Sequence, residues 1–449
     1  MNKHLRIAIW VLAGLMLVLV AGFMCADAIV SRLVNNRVQE QLQATDRFAV
    51  TYGSLAVHLC SRTIELEDIS FSTHLPDKQV KDEPSAELHV SRVEIKSFRL
   101  RRMIKDQLLH IGCITVDNPQ IVFSLPEDKR DKPTQTDTAQ VQPLLKAIIV
   151  DAIRVNDGSL QMTTALPPVQ LKLDDLQLAI HGVTCSLTDK ELVIDSIFAE
   201  APRTQVLADT YYKAKKPFPM PQEKMLAMPM RMRINTIQVA LPQADIAVRM
   251  PDAPVGHLGI RKARATITNV SNHPGDKMEA GMHASLSRGG EGDFALTMTM
   301  DKAAHFNVAA DLKQVKGESF NNFLHPLFGA EAAFVINRLT TRYAGNKHRA
   351  DGTFCMTYDD IQVHIFKEDT PYKLIAQNAG VINAFAPAVL QRRNPRLPGM
   401  PAQTYEVGAK RNEMKIFAIY LIGPLMDGAL KTLLPGVIVR QIDKKTAGM

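Results

Sequence analysis

Three pairs of adjacent carboxylates are the residues of this chain best suited by type to acid–base or metal chemistry. They are Glu67-Asp68, Asp174-Asp175 and Asp359-Asp360. Each pair is followed by the same hydrophobic-x-hydrophobic step, so all three share one strand context. A bulge or tight turn that resets the alternation of a strand recurs in this way, whereas a catalytic acid does not. We therefore interpret the pairs as structural.

The other chemically capable side chains are dispersed. No two of the 13 histidines lie within five residues of each other, and the five cysteines (Cys25, Cys60, Cys113, Cys185, Cys355) form no CxxC pair, so no local metal site is predicted. The phosphate loop GxxxxGK[ST], the GxSxG elbow and the HExxH helix are all absent. We expect no enzyme activity, no cofactor and no metal, although a site assembled from distant residues stays open.

The charge balance of +7 is compatible with an anionic partner. The Lys and Arg are scattered, and no DNA- or RNA-recognition module accompanies them, so nucleic acid is not expected as a partner. Anionic lipid headgroups are a better candidate than nucleic acid, and an ordinary solvated face is favoured over both.

An uncharged apolar run at 7–26 predicts a membrane anchor. As a helix, its twenty residues would extend about 30 Å, the thickness of the hydrocarbon core. Lys3 and Arg6 precede the run, which favours a cytoplasmic N-terminus and translocation of the rest. A cleaved signal peptide is the alternative, because Ala26-Asp27-Ala28 has the form of a cleavage site. The run is longer than the usual core of such a signal, which favours an uncleaved anchor. Residues 28–43 then show helical spacing and predict an amphipathic helix.

From residue 45 the apolar residues alternate, which predicts antiparallel strands with one apolar and one polar face. The positions taken as the apolar face are Leu55, Val57, Leu66, Val90, Ile95, Ile114, Val116, Ile153, Val155, Leu171, Leu173, Leu178, Leu296, Met298, Met356 and Val363. This alternation fits an open trough and a closed sandwich equally well.

A motif repeats beneath the alternation. Ile111-x-x-Ile114-x-Val116-Asp-Asn-Pro119 is followed by Val150-x-x-Ile153-x-Val155-Asn-Asp-Gly158, and by a weaker copy at Ile234-x-x-Ile237-x-Val239-x-x-Pro242. The turn-forming residues at a fixed place predict a hairpin in each copy. Repeated β units of this kind stack in one dimension.

Two segments interrupt the strands, and one helix follows them. Residues 124–142 are polar and predict an exposed loop, and the Pro- and Met-rich segment 211–230 predicts a crossover or linker. Near the C-terminus, Leu425, Met426, Ala429, Leu430, Leu433 and Leu434 lie at helical spacing with Asp427 and Lys431 opposite. This pattern predicts an amphipathic helix that docks on the open end of the β structure, a membrane surface or a partner, or that caps the last strands.

The chain resembles the AsmA-like superfamily of bacterial envelope proteins. The resemblance rests on RVEIKSFRLRRMIKDQLLHIGCITVDNPQIVFSLP (Arg92 to Pro126), where a strand, a short helix (Leu100 to Gln107) and the I-x-x-I-x-V-x-x-P strand follow in order. It continues in GESFNNFLHPLFGAEAAFVINRLTTRYAG and GTFCMTYDDIQVHIF, and covers most of residues 5 to 435.

This resemblance implies a mainly β fold: an N-terminal transmembrane helix, then an elongated, mostly antiparallel repeat sheet curled into an apolar groove, with short flanking helices and a C-terminal amphipathic helix. It implies an inner-membrane protein with the bulk of the chain in the periplasm of a Gram-negative-type bacterium. The groove would bind or conduct phospholipid or another envelope lipid between inner and outer membranes in support of outer-membrane biogenesis, and the sixteen positions above would line it collectively. A partner protein in either membrane is also compatible with the resemblance.

The predicted organisation has six segments: 1–27 (cytoplasmic tip and anchor), 28–44 (amphipathic helix), 45–210 (N-terminal β repeats), 211–230 (linker), 231–410 (C-terminal β region) and 411–449 (C-terminal strand and amphipathic helix). The alternative function is a scaffold or assembly factor for outer-membrane proteins, acting by strand addition or through its C-terminal helix.

Overall fold

The computed structural model of the chain describes residues 31, 49–73, 84–99, 102, 105–126, 145–209, 212, 214–250, 253–366, 383, 390–397 and 399–434. The fold is mainly β, as predicted, and its strands belong to a large mixed sheet in which most of the described ladders are antiparallel. The chain divides into two compact units: Met1–Leu160 with Leu176–Asp189, and Gln161–Asp175 with Lys190–Met449.

The first unit contains six short strands and parts of two long ones. The short strands are β1 (Ala49–Thr51), β2 (Ser54–His58), β3 (Thr63–Ser72), β4 (Ser85–Lys96), β5 (Leu108–Asp117) and β6 (Gln120–Leu125). The long strands, which run through both units, are β7 (Ala147–Ala165) and β8 (Pro168–Ser186). Strand β3 pairs with β1, β2 and β4, all antiparallel.

The second unit is built around an antiparallel meander. Its strands are β9 (Glu191–Glu200), β10 (Arg203–Asp209), β11 (Arg231–Arg249), β12 (Gly256–Ser271), β13 (Lys277–Leu286), β14 (Glu291–Thr299), β15 (Phe306–Lys316), β16 (Ala330–Gly345), β17 (Arg349–Ile365) and β18 (Thr404–Lys410). From β11 to β18 each strand pairs with the next in sequence. Strand β11 also pairs in parallel with β9 and β10.

Three helices with described bounds belong to the second unit: α1 (Pro221–Leu226), α2 (Glu318–Phe328) and α3 (Phe417–Leu433). Helix α1 lies within the segment predicted as a linker, and Met220 just before it is fully buried in the core. Helix α2 ends at Gly329, whose φ of 61° gives the left-handed cap that glycine adopts readily. Helix α3 is the predicted C-terminal helix.

The repeats stack, but they are not hairpins, so that part of the prediction is wrong. Strand β4 pairs antiparallel with both β5 and β6, which makes these two strands successive pieces of one kinked strand. The second and third copies lie inside the uninterrupted strands β7 and β11. Asn118 (φ 51°) and Asp157 (φ 53°) supply the kinks. A single left-handed residue bends a strand and leaves its direction unchanged, whereas a hairpin needs two strands that pair with each other.

The copies pair in parallel, each placing its motif beside the same motif of another copy. Strand β5 lies beside β7 with Ile114 opposite Ile153, which are 39 residues apart in the sequence. In the same register the Asn156 side-chain amide donates a hydrogen bond of 2.8 Å to the Asp117 carboxylate. Strand β11 lies beside β9 in the same manner, with Ile237 opposite Ile197. The segment Ile194-x-x-Ile197-x-Ala199-x-x-Pro202 is therefore a further copy, which the sequence analysis missed.

The acidic pairs are kinks, as predicted. The second residue of each pair has positive φ: Asp68 (52°), Asp175 (57°) and Asp360 (48°). The carboxylates also hold neighbouring strands, since Arg203 lies 2.6 Å from Asp175 and the Asn337 amide donates to Asp359 at 3.0 Å. Asp and Asn tolerate this conformation better than most residues, which explains why they occupy the kinks.

Several predictions fall on residues that the structure does not describe. The anchor at 7–26 lies outside the described residues, as do 28–43 apart from Ser31, most of the loop 124–142 and half of the helix 100–107. Within the described part of the chain, no helix combines the length and the apolarity needed to cross a bilayer.

Candidate functional site

In the first unit the predicted apolar positions line up across the strands. Each row contains one residue from every strand of the series β2, β3, β4, β5 and β7. The rows are Leu55–Leu66–Val93–Val116–Val155 and Val57–Ile64–Ile95–Ile114–Ile153. Val90 lies opposite Ile69, beyond the kink at Asp68. Apart from Val57 and Val90, which are buried, the predicted positions in these rows keep part of their surface exposed.

In the second unit the same register extends over more strands. One row crosses nine strands, from β9 through β11 to β18: Ile197–Ile237–Ile267–Ala280–Leu296–Val308–Tyr343–Gly352–Val407. The neighbouring row is Ala199–Val239–Ala265–Met282–Phe294–Ala310–Thr341–Phe354–Tyr405. A shorter row, Leu171–Val206–Ile246–Leu258, joins β8, β10, β11 and β12. We call the side of the second unit's sheet that carries these rows the apolar face.

The remaining predicted positions have different surroundings. Leu173 lies opposite Thr204, and Leu178 is half-buried in the part of β8 that belongs to the first unit. Met298 and Met356 are buried in the two core clusters that also contain residues of α3. Val363 lies opposite Ala332, near α2. The sixteen positions are therefore not equivalent, because some belong to the closed core and others to a partly open face.

Burial along the apolar face changes where α3 begins to cover it. Val308 is 3% exposed and Phe354 is 1% exposed, because both lie in the strands that α3 contacts. Further along the same two rows, Ile237 and Val239 are only partly buried, and Met282 is 42% exposed. One continuous row thus passes from a closed core to a partly open surface, although Ile267 and Leu296 still pack against the core cluster that Met225 and Leu226 of α1 also contact.

Helix α3 is held on the sheet by close packing and by tyrosine hydroxyls. The rings of Phe306 and Phe417 meet edge to face at 5.3 Å between centroids. The Tyr343 hydroxyl donates to the Leu421 carbonyl at 2.5 Å, and burial raises the pKa of this phenol well above its ordinary value. At Gly428 the helix approaches so closely that a Cβ would lie 2.2 Å from the Phe354 ring.

The opposite, polar face of the same strands carries a recess of about 1020 Å³. Its floor contains Gly281, Ala295 and Ala309, which lie opposite one another on β13, β14 and β15. Charged side chains surround this floor. Arg338 binds Asp311 through two hydrogen bonds of 3.0 and 2.7 Å, and these hydrogen bonds lower the pKa of the Asp311 carboxyl.

None of the predicted apolar positions lines this polar recess, which the sequence analysis did not anticipate. Gly281, Ala295 and Ala309 follow or precede residues of the apolar row such as Met282 and Phe294, which also border the recess, and this run of small residues on neighbouring strands was the available signal. Among the described residues, no group of three or more His, Cys, Asp or Glu side chains is arranged to hold a metal ion.

Comparison with protein-family models finds no match. Comparison with curated proteins finds none either.

Proposed function

We propose that this chain is a membrane-anchored envelope protein of the AsmA-like type that binds lipid on its apolar face and conducts it without chemistry. The observation that supports the proposal is the partial exposure of aligned Ile, Val and Leu side chains beyond the edge of α3, together with Met282, which is 42% exposed. Apolar side chains at this density are normally covered in a soluble protein, so a contiguous open patch indicates an apolar ligand.

The size of the open patch suits an acyl chain. The row from Ile197 to Leu296 crosses five strands, and at about 4.8 Å between strands it extends about 19 Å. The acyl chains of one leaflet fill about half of the roughly 30 Å hydrocarbon core. Each methylene removed from water contributes about 0.8 kcal/mol, so a single acyl chain along this row would be held firmly by burial alone.

The proposal includes an inner-membrane location. The segment 7–26 would anchor the chain, and the strands would lie in the periplasm, where lipid must be shielded from water on its way to the outer membrane. The sixteen predicted positions would act collectively, with Met298 and Met356 shaping the closed end beneath α3.

A photocrosslinking amino acid placed at Met282 in the full-length chain, expressed in a Gram-negative host, tests the proposal. Met282 lies on the apolar face and is 42% exposed. His283, the next residue of β13, lies on the polar face opposite Asp293 and is the matched control. We expect mass spectrometry to find phospholipid adducts at position 282 and few at position 283.

Equal lipid capture at the two positions would contradict the proposal, because the neighbouring residue faces the other way. A protein adduct at position 282 in place of lipid would favour the alternative, a scaffold that holds a partner polypeptide.

A further inference from the structure

Helix α3 has a second apolar side that faces solvent. Its exposed residues are Ala418, Ile419, Ile422, Met426 and Leu430, and all are apolar. The four large ones are 38% to 57% exposed. Surface helices normally present charged or polar residues on the side away from the core. The opposite side of α3 already packs on the sheet, so this exposed row is not needed for the core.

The charged residues of α3 do not interrupt this exposed row. Asp427 and Lys431 are the two charged residues of the helix, and they pair with each other at 2.8 Å. The Asp427 carboxylate also accepts a hydrogen bond from the Gly408 backbone N–H at 2.9 Å, and Lys431 donates to the Glu406 carbonyl at 3.0 Å. Both side chains are thus directed toward β18, and the outer side keeps an uninterrupted row from Ile419 to Leu430.

A basic loop adjoins the C-terminal end of this helix. The loop, residues 390–403, contains Arg392, Arg393 and Arg396, all exposed, and no Asp or Glu. It also contains Leu397 and Met400, each more than half exposed. Apolar and cationic side chains therefore occur together on one short segment.

The loop is fixed to α3 and to the sheet. The Gln391 N–H donates to the Leu433 carbonyl at 3.0 Å. The Tyr358 hydroxyl donates to the Gln391 carbonyl at 2.5 Å and also lies 3.3 Å from the Thr432 carbonyl. Asn394 is almost fully buried and donates to the Met356 carbonyl at 2.8 Å. These hydrogen bonds attach the loop to the end of α3 and to β17.

We infer that the outer side of α3 and the loop 390–403 together dock on the surface of a bilayer that contains anionic phospholipid. The charge of this part of the chain fits such a surface, since residues 390–434 contain seven Lys or Arg and three Asp or Glu. An apolar helix side buried at the acyl boundary, with basic residues next to it at headgroup level, is the usual composition of an interfacial helix. This docking surface is distinct from the apolar face, and neither requires the other.

A local probe separates this contact from any contribution of the N-terminal segment. The chain has a single tryptophan, Trp10, so Met426→Trp in a Trp10→Phe background places one indole on the outer side of α3. The full-length protein, held in amphipol, is mixed with vesicles of phosphatidylcholine and phosphatidylglycerol whose acyl chains carry bromine. We expect bromine to quench this tryptophan. Phe198→Trp in the same background is the control. Phe198 is 40% exposed on β9 and lies opposite Gln238, on the face of the sheet away from the apolar rows.

Charge reversal tests the contribution of the loop. We expect Arg393→Glu with Arg396→Glu to weaken vesicle binding at least about thirty-fold, because the loss of two arginines beside an anionic surface alone accounts for that factor and the two new carboxylates add repulsion. Arg233→Glu with Arg261→Glu changes the net charge equally on exposed strand positions and should leave binding nearly unchanged. Salt at about 1 M shortens the Debye length to about 3 Å, so it should screen the arginines and weaken vesicle binding by the protein with the unmodified loop.

Three results would overturn the inference. The first is quenching at position 426 no greater than at position 198. The second is equal quenching by vesicles of phosphatidylcholine alone, which would remove the role of the anionic headgroup. The third is a blue shift of the tryptophan emission at position 426 that increases with protein concentration in the absence of vesicles. That result would show that a second copy of the chain covers the outer side of α3. Lipid capture at Met282 is measured separately, so this inference and the proposed function can fail independently.

Discussion

Two valines on neighbouring rows of the apolar face should respond differently to the same truncation. Val308 is 3% exposed beneath α3, whereas Val239 lies beyond the helix and is only partly buried. Val→Ala removes two carbon atoms, so at Val308 the lost transfer free energy is about 1.6 kcal/mol. The cavity left in a closed core adds to this, giving about 2 kcal/mol or more. At Val239 part of the surface was already in contact with water and no closed cavity forms, so we expect less than about 1 kcal/mol.

The measurement is the free energy of unfolding from urea titration of each full-length variant in detergent, followed by circular dichroism at a β-sheet wavelength. Arginine at the same positions enlarges the contrast. Val308→Arg buries an unpaired charge and should cost several kcal/mol or prevent folding. Val239→Arg can extend its guanidinium into solvent and should cost about 1 kcal/mol or less.

Equal losses at the two positions would refute this reasoning. If both truncations cost about 2 kcal/mol, the row beyond α3 is as closed as the core, and the chain has no open apolar face. If both cost less than about 1 kcal/mol, α3 does not seal the face above Val308.

Three further predictions concern the packing and charges around this face. Gly428→Ala should destabilise the protein by about 2 kcal/mol or more, because the new Cβ would meet the Phe354 ring. Helix propensity alone predicts a gain in stability of about 1 kcal/mol, so a fall in the thermal midpoint supports the close contact and a rise contradicts it. Arg338→Gln should return the pKa of Asp311 toward its ordinary value, as read by carbon NMR. A depressed carboxyl pKa stabilises the fold above the unfolded value of about 3.9 and loses that contribution as the pH falls, so wild type should lose more stability than the variant on acidification. Asp157→Val should cost about 1 to 2 kcal/mol because its φ is 53°, whereas Asp157→Gly should be tolerated, and equal urea midpoints for the two would contradict a kink at this residue.

The alternation of apolar residues predicted the rows well, because a period of two fixes which side chains share a face of a strand. Ile114 and Ile153 were recognised as equivalent, and they lie opposite each other in the parallel ladder of β5 and β7. The direction of the pairing was not predictable. Asn-Pro and Asp-Gly steps favour reversing turns as much as kinks, and only the partner strand distinguishes the two.

The further copy at Ile194 was missed because Ala199 replaces the expected valine, although Pro202 stands at the fixed place. Helix α3 was predicted with one apolar stripe, but the structure divides that stripe. Leu425 and Leu433 pack on the sheet, whereas Met426 and Leu430 face outward. Spacing alone does not show which of two adjacent apolar rows meets the core, since this depends on the close approach at Gly428.

Helix α3 indicates what kind of occupant the apolar face would accept under the proposed function. Where the helix lies, the described hydrogen bonds from sheet side chains to it come from tyrosines such as Tyr343 and Tyr358. Asp427 and Lys431 bind the backbone of β18 at the edge of the contact, and its centre is apolar. Beyond the helix, Ile237, Val239 and Ala265 offer no side-chain hydrogen-bonding group at all. Apolar burial is non-directional and proportional to area, so an acyl chain that shifts by one strand, about 4.8 Å, exchanges one set of contacts for a nearly equal set. If the proposed function is right, a ligand here would meet no polar anchor at which it would stop, a condition suited to conducting lipid more than to storing it.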